Sequence, residues 1–263
     1  MATRTLEYTN SLGTITDADD VYLMRGNVSI TTNLDQSALA TGLGSFRVAE
    51  SWTGNIGDPT NPLKCDVDTG SAVLEYQASG GSMFFAPQGG SAVCSKLWMQ
   101  ANASLTLLGG GTVTRLECSR GSTSIAQAVT ATTFRVGGSA NCKLVGSAGT
   151  GPTTLDQTGG RIESERGATT VNQYGGTLIF QAAANNITTY NYTGGFTFIE
   201  QLGTITTFNA ISGDLSRVKV AKPITITNTN IWATVQGAMD FLRHPKITFT
   251  NAATPIMGDG IQL

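Results

Sequence analysis

A short phrase recurs in the second half of the chain and constrains its fold more than any other feature. The phrase consists of two threonines, a bulky apolar residue, a few polar residues and then glycines. Its five copies begin at Thr132, Thr153, Thr169, Thr188 and Thr206, so successive copies start 21, 16, 19 and 18 residues apart. A short period rich in threonine, β-branched residues and glycine is typical of a β-solenoid, whose units bury their apolar faces only by stacking. We therefore predict an all-β solenoid, or β-helix, with coils of about 18–20 residues.

Glycine pairs mark the expected corners of this solenoid. Four copies of the phrase end in such a pair, at Gly137-Gly138, Gly159-Gly160, Gly175-Gly176 and Gly194-Gly195. Glycine readily adopts the positive φ that a sharp bend requires. We therefore predict at least two short strands in each coil, one before the pair and one after it. In one coil, Leu155 starts the first strand and residues 161–165 form the second.

The phrase divides the chain into three predicted parts. Residues 61–213 are predicted to form the solenoid, and residues 1–60, which lack the phrase, an N-terminal cap or docking region. A solenoid needs a cap because its open end exposes apolar side chains and unpaired strand edges. Residues 214–263, where the phrase fades, are predicted to be a C-terminal cap or docking segment.

Large apolar residues in the C-terminal segment form the candidate partner-binding patch. They are Trp232, Met239, Phe241 and Leu242. Exposed together, such residues mark a protein–protein contact. Closure of the solenoid end explains the same residues at least as well.

The charge balance argues against two classes of partner. Charged residues make up 13% of the 263-residue chain, about half the usual fraction, and 16 Lys and Arg oppose 18 Asp and Glu. This balance indicates no basic groove, so we expect no nucleic-acid partner. No run approaches the roughly 20 apolar residues of a membrane span, and no apolar leader follows Met1. We therefore expect a protein made in a cytoplasm, with no membrane contact.

The potential metal ligands are scattered along the chain. Cys65, Cys94, Cys118 and Cys142 lie 29, 24 and 24 residues apart, and the chain has one histidine, His244. A zinc site needs clustered ligands, so we expect free thiols in the core, with a Cys94–Cys118 or Cys118–Cys142 bridge as the alternative.

An acidic turn has some character of a calcium site. It contains Asp17, Asp19 and Asp20 but lacks the glycine and the distal glutamate of an EF-hand loop. We therefore interpret it as a plain turn, and we expect no metal or cofactor.

No hydrolase, P-loop, zinc-protease or dinucleotide motif is present in the sequence. Cleavage of a glycan on a solenoid wall would need two carboxylates that flank the bond. The candidate residues are Glu163 and Glu165 beside Arg161, with Glu117 and Arg120 one or two coils away, and the aromatic residues Tyr174, Tyr190 and Tyr192 as sugar-stacking platforms. A solvated charge ladder and core packing explain the same residues, so we expect no enzymatic activity.

The N-terminal region carries phrases that accompany the repeat in a known family. They are the acidic turn and strand ending in Asp20-Val21-Tyr22-Leu23, then Asn33-Leu34-Asp35-Gln36-Ser37, then Trp52-Thr53-Gly54-Asn55-Ile56-Gly57. Followed by the Thr-Thr and Gly-Gly units, they resemble β-solenoid virion proteins of tailed bacteriophages, which are thought to decorate or cement the head. The resemblance covers the chain except residues 214–263.

The resemblance implies a structural role. It suggests a decoration protein on the outer surface of the capsid, bound to major capsid protein subunits and assembled as a homotrimer at three-fold positions of the shell. It implies no catalytic residue and no cofactor. The alternative is a tail spike or receptor-binding protein that binds or cleaves host polysaccharide; a bacterial adhesin is disfavoured because no export signal is seen.

Overall fold

The structure, a computed structural model, describes a chain folded into two parallel β-sheets that coil together. The described residues are 3–16, 19–39, 42–67, 73–88, 93–181 and 186–256. The sheets form a β-solenoid of about 12 turns, roughly 19 residues apart. The solenoid predicted from the repeat is therefore confirmed.

Each complete turn contributes one strand to each sheet. In chain order the strands are β1 (Thr3–Glu7), β2 (Asp20–Arg25), β3 (Ser45–Val48), β4 (Leu63–Cys65), β5 (Leu74–Tyr76), β6 (Ser82–Pro87), β7 (Val93–Met99), β8 (Ser104–Leu107), β9 (Gly111–Cys118), β10 (Ser122–Ile125), β11 (Val129–Val136), β12 (Asn141–Leu144), β13 (Thr154–Gln157), β14 (Arg161–Ser164), β15 (Ala168–Gln173), β16 (Thr177–Gln181), β17 (Ile187–Tyr192), β18 (Phe196–Gln201), β19 (Thr204–Ala210), β20 (Val218–Val220), β21 (Ile224–Trp232), β22 (Ile247–Phe249) and β23 (Thr254–Ile256). The first sheet has the order β1-β2-β3-β5-β7-β9-β11-β13-β15-β17-β19-β21-β22, with β23 also paired to β21, and the second contains the even-numbered strands β4 to β20. A 3₁₀ helix (Leu215–Arg217) and the short helix α1 (Ala238–Leu242) lie near the C-terminal end.

The repeated phrase stacks in register along the first sheet. Its second threonines pair with one another from turn to turn, and so do the bulky apolar residues that follow them. The threonines are Thr133, Thr154, Thr170, Thr189 and Thr207, and the apolar residues are Phe134, Leu155, Val171, Tyr190 and Phe208. All five apolar residues are buried, so each turn covers the apolar face of the next.

The paired threonines mark a bend within the strand. In a flat strand the inward-facing residues are two positions apart, but Ala168 and Val171, both buried, are three apart. Thr169 and Thr170 between them both keep solvent contact, so the strand turns there. The first threonines of the other copies occupy the same place: Thr132, Thr153, Thr188 and Thr206.

The second glycine of each pair forms a corner, as predicted. Gly160, Gly176 and Gly195 have φ of 64°, 76° and 97°, a conformation that a side chain disfavours. At Gly176 a Cβ would also lie 2.6 Å from the carbonyl oxygen of Gly159 in the previous turn. Glycine is therefore required there by both conformation and contact.

Buried polar side chains tie consecutive turns together at these corners. Gln173 donates from Nε2 to the carbonyl of Phe196 in the next turn (3.1 Å), and its Oε1 accepts from the Tyr190 hydroxyl. Gln157 donates to the carbonyl of Thr177 in the same way (2.9 Å). Because these bonds cross between turns, they fix the stacking register, and in Gln173 they satisfy both the nitrogen and the oxygen of the buried amide.

A polar ladder runs along the outer face of the first sheet. Its members are Glu117, Arg135, Asp156, Asn172, Asn191, Asn209 and Asn230. Each asparagine amide donates to the ladder residue of the preceding turn at 2.7–2.8 Å. At the other end, Arg135 pairs with Asp156 (3.1 Å) and with Glu117 (3.7 Å).

The first sheet extends beyond the solenoid boundaries predicted from sequence. β1, β2 and β3 lie within residues 1–60 and already belong to the first sheet, where β3 pairs with β5. The predicted boundary after residue 60 therefore has no counterpart in this sheet. At the other end, β21, β22 and β23 continue the sheet within residues 214–263. These turns lack the Thr-Thr phrase, which is why the sequence did not reveal them.

All four cysteines are buried, and none of them forms a disulfide. Burial raises the pKa of Cys65, and a hydrogen bond with Cys118, together with burial, raises the pKa of Cys142. The Cys94–Cys118 bridge considered from sequence is wrong, because Cys118 pairs with Met99, five residues beyond Cys94. Five residues of strand span about 16 Å, far more than a disulfide can bridge.

Arg166 is a buried cation that the sequence analysis missed. Its side chain is 1% exposed. Its guanidinium donates to carbonyl oxygens of two preceding turns: Ile125, Ala126 and Val129 in one, and Val145 and Thr150 in the other. Burial lowers the pKa of Arg166. Five carbonyls of two preceding turns thus accept from one side chain that joins three turns, and two of them, Ile125 and Ala126, also accept a backbone N–H.

Replacement of Arg166 by methionine is expected to destabilise the solenoid strongly. The variant would remove the guanidinium donors from five carbonyls in two preceding turns, at a cost of about 3 kcal/mol or more. Thermal unfolding should show a midpoint lowered by about 10 °C.

The matched control for this change is Arg161→Met on β14. Arg161 forms an exposed pair with Glu163 (2.6 Å), so its loss should change stability by no more than about 0.5 kcal/mol. Equal midpoints for the two variants would contradict a structural role for Arg166.

Candidate functional site

The predicted partner-binding patch is divided by the structure into an inner and an outer part. Phe241 of α1 is buried; its ring stacks on Phe208 (centroids 5.1 Å apart, 25°) and meets Phe249 edge-on (5.9 Å, 67°). Phe208 in turn packs against Tyr190 in the core. Phe241 therefore closes the end of the solenoid and is not available to a partner.

The other three patch residues lie at the surface. Met239 is 58% exposed, whereas Trp232 and Leu242 are half-buried. Trp232 and Leu242 line an apolar hollow of about 350 Å³ together with Val235 and Pro255. We call Trp232, Val235, Met239, Leu242 and Pro255 the C-terminal patch. Its side chains offer an apolar contact near the C-terminal end of the solenoid.

Asp214 holds the start of the segment that carries this patch. Its carboxylate accepts from the amide of Ser216 (2.9 Å) and from the Ser216 hydroxyl (2.7 Å), which caps the 3₁₀ helix. These two bonds, the hydroxyl first, lower the pKa of Asp214. The Tyr192 hydroxyl donates to the Asp214 carbonyl (2.9 Å), so the segment is tied to the preceding turn.

A groove crosses the first sheet on its outer face, where the strands end. The residues that directly follow the strands stack in one column, because each donates its backbone N–H to the preceding turn. This corner column contains Gln77, Gln100, Ser119, Gly137, Thr158, Tyr174, Thr193 and Ile211. Between Gln100 and Tyr174 the column has only small residues, and a hollow of about 450 Å³ lies there beside the polar ladder.

A second hollow of about 400 Å³ adjoins the first and shares Gln100 and Ser119 with it. Its other lining residues include Glu50, Gln77 and Arg120. We call the two hollows together the outer groove. From Gln77 to Tyr174 it crosses five strand spacings, which is about 24 Å.

The carboxylates proposed for glycan cleavage do not form a pair. Glu163 lies on β14 of the second sheet and pairs with Arg161, and Glu165 lies beyond that strand, where it accepts from the Gly146 amide (2.7 Å). Glu117 lies on the first sheet, in the outer groove. The structure therefore separates Glu163 and Glu165 from Glu117, and it places Arg120 in the second hollow of the same groove.

Of the three candidate stacking tyrosines, one is available. Tyr190 and Tyr192 are buried, and burial raises the pKa of both phenols. Their interpretation as core residues is the correct one. Tyr174 is 56% exposed and forms one end of the outer groove.

The acidic turn is occupied by protein donors. Asp19 accepts from the hydroxyl and the amide of Thr16 and from Arg4, and Asp20 accepts from Ser45. Asp17 lies outside the described residues. Within the part of the chain that the structure describes, no group of three or more His, Cys, Asp or Glu residues is placed to hold a metal ion, and no helix is long and apolar enough to cross a membrane.

Fold and site together define a parallel β-solenoid with an apolar end and a polar groove on one wall. Comparisons with protein-family models, with curated proteins and with solved structures found no match. The function of the protein is therefore inferred from its own residues.

The stability of the protein should depend on the charge of Asp214. Its folded-state pKa is lowered, so its contribution is present above the unfolded-state value of about 3.9 and is lost as the pH falls through the folded-state value. Asp214→Asn should unfold at a lower temperature than the parent protein at pH 7, and the difference should shrink below about pH 4.

Thermal unfolding between pH 2 and pH 7 tests this expectation. Glu200→Gln is the control, because Glu200 is exposed and makes no side-chain hydrogen bond within the described residues. A difference between Asp214→Asn and the parent that stays constant with pH would contradict the assignment.

Proposed function

We propose that the protein is a structural virion protein that decorates the capsid of a tailed bacteriophage. In this role it binds the outer surface of major capsid protein subunits as a homotrimer and stabilises the shell. The observation that carries the proposal is a rigid solenoid that ends in an exposed apolar patch. The sequence resemblance supplies the identity of the partner.

The body of the solenoid suits a structural role. Gln157 and Gln173 join successive turns inside, the asparagine ladder joins them outside, and Arg166 joins three turns at once. Hydrogen bonds that cross every turn resist local opening, so such a body keeps its shape and withstands proteolysis. A protein that clamps a shell needs this rigidity and needs no reactive group.

The C-terminal patch is the contact surface that we assign to the capsid. Met239 is the most exposed apolar side chain there, and Trp232 and Leu242 lie at the hollow beside it. Large apolar and aromatic side chains of this kind anchor protein–protein interfaces. Three patches in one trimer would engage three shell subunits at once, which multiplies a modest affinity through effective concentration.

A tail spike that cleaves polysaccharide is the less favoured alternative. Its candidate carboxylates are engaged elsewhere: Glu163 by Arg161, and Glu165 by the Gly146 amide. In the outer groove, Arg135 stands between Glu117 and Asp156. No two of these carboxylates flank an open position for a glycosidic bond, as the retaining and inverting mechanisms require.

Mass spectrometry of purified virions tests the proposal. The protein should be present in a copy number comparable to that of the major shell protein, and it should follow the heads when heads and tails are separated. A few copies that follow the tails, or absence from the virion, would overturn the decoration role.

Replacement of Met239 by glutamate should weaken binding to heads that lack the protein. A charge placed in an apolar contact is desolvated without a partner, so we expect binding at least about tenfold weaker in cosedimentation. Met24→Glu is the matched control, because Met24 is also exposed (42%) but lies on β2 near the opposite end. Equal loss of binding in both variants, or none in either, would contradict docking through the C-terminal patch.

A further inference from the structure

The outer groove is a shaped feature that capsid docking through the C-terminal patch does not use. Its floor is Ser119, Gly137 and Thr158, and Gln100 and Tyr174 rise at either side of that floor. Gly137 has no positive φ, so the backbone conformation does not require glycine there. A Cβ at Gly137 would meet the Thr158 hydroxyl at 2.9 Å and would fill the groove at its centre.

The charges that line the groove balance one another. Arg115, Arg120 and Arg135 oppose Glu50, Glu117 and Asp156. Arg115 pairs with Glu117 on the same strand, and Arg135 lies between Glu117 and Asp156 of the two neighbouring strands, so the wall presents donors and acceptors in turn. A polyanion such as a nucleic acid gains no electrostatic attraction from a surface whose charges balance. A ligand whose groups both donate and accept hydrogen bonds is complementary to such a surface.

Two groups in the second hollow of the groove are free to bind. The side chains of Glu50 and Arg120 are exposed and make no hydrogen bond or ion pair within the described residues. At one end of the groove, the exposed Tyr174 ring provides an apolar face beside polar groups. An aromatic face next to charged hydrogen-bonding groups suits a ring that is apolar on its faces and hydroxylated at its edge.

We infer that the outer groove binds a neutral, extended oligosaccharide. The sugar hydroxyls both donate and accept, as the alternating arginines and carboxylates require, and one sugar ring stacks on Tyr174. The length of about 24 Å accommodates several sugar units. The groove binds without cleavage, because Arg135 lies between its two nearest carboxylates. This inference does not depend on the capsid role.

A microarray of neutral and acidic bacterial surface polysaccharides tests the inference, with titration calorimetry of the best neutral oligosaccharide on the array. Tyr174→Ala removes the stacking face and should weaken binding about tenfold. Ser119→Gln places a third glutamine after Gln77 and Gln100 in the corner column. Its side chain would fill the groove and should abolish binding.

Two control variants match these changes outside the groove. Tyr8→Ala removes another exposed tyrosine (62%) in the first turn, and Ile211→Gln introduces glutamine two turns beyond Tyr174 in the corner column. Both should bind like the parent protein. The inference would be overturned by no binding to any glycan on the array, by binding confined to acidic polymers, or by binding that survives in both groove variants.

Discussion

Every feature of this protein depends on parallel, in-register stacking of its turns. At a strand spacing of about 4.8 Å, the nearest neighbours of a side chain are its own counterparts one turn before and after. A residue type is therefore tolerated only if it can stack on a second copy of itself or on a residue of complementary charge or hydrogen-bonding capacity. Apolar residues satisfy this condition inside. Asparagine satisfies it outside, since its amide both donates and accepts, as Asn172, Asn191 and Asn209 do in succession.

The same constraint explains the low charge of the chain. Like charges stacked at this spacing would repel one another along the whole rod. The charged residues of the polar ladder alternate in sign, from Glu117 to Arg135 to Asp156. From Asn172 onward the ladder residues are asparagines. The composition of 13% charged residues thus follows from the architecture and is not independent evidence of function.

The sequence predicted those parts of the structure that repeat. The Thr-Thr phrase gave the stacking register, and the glycine pairs gave the corners, because both recur at each turn. It did not predict what occurs once. Arg166 reads as an ordinary charged residue after Glu165, and only the fold brings the carbonyls of Ile125 and Val145 to its guanidinium. The bend at each threonine pair was also missed, because strict alternation does not allow inward residues three positions apart.

The candidate sites show the same division. Trp232, Met239, Phe241 and Leu242 were indistinguishable in sequence, because local pattern does not say which apolar side chain closes a stack. The structure decides this for Phe241 through its contact with Phe208. The outer groove had no sequence signal of its own. It arises because the side chains of the corner column are large at Gln100, small at Ser119 and Gly137, and large again at Tyr174.

The geometry of a solenoid places apolar binding sites and polar binding sites on different surfaces. Stacking buries the inward-facing apolar side chains of every turn except those at the two ends, so an apolar patch made of such side chains belongs at an end, where growth of the stack stops. The walls offer instead rows of polar groups that extend across many turns, and such rows are matched by a ligand that is itself extended. The C-terminal patch and the outer groove follow this rule. Because the groove reaches Tyr174 but the patch begins beyond Ile231, a partner held at the end leaves the groove open to solvent. One rigid body can then attach by its end and bind a second, extended ligand along its wall.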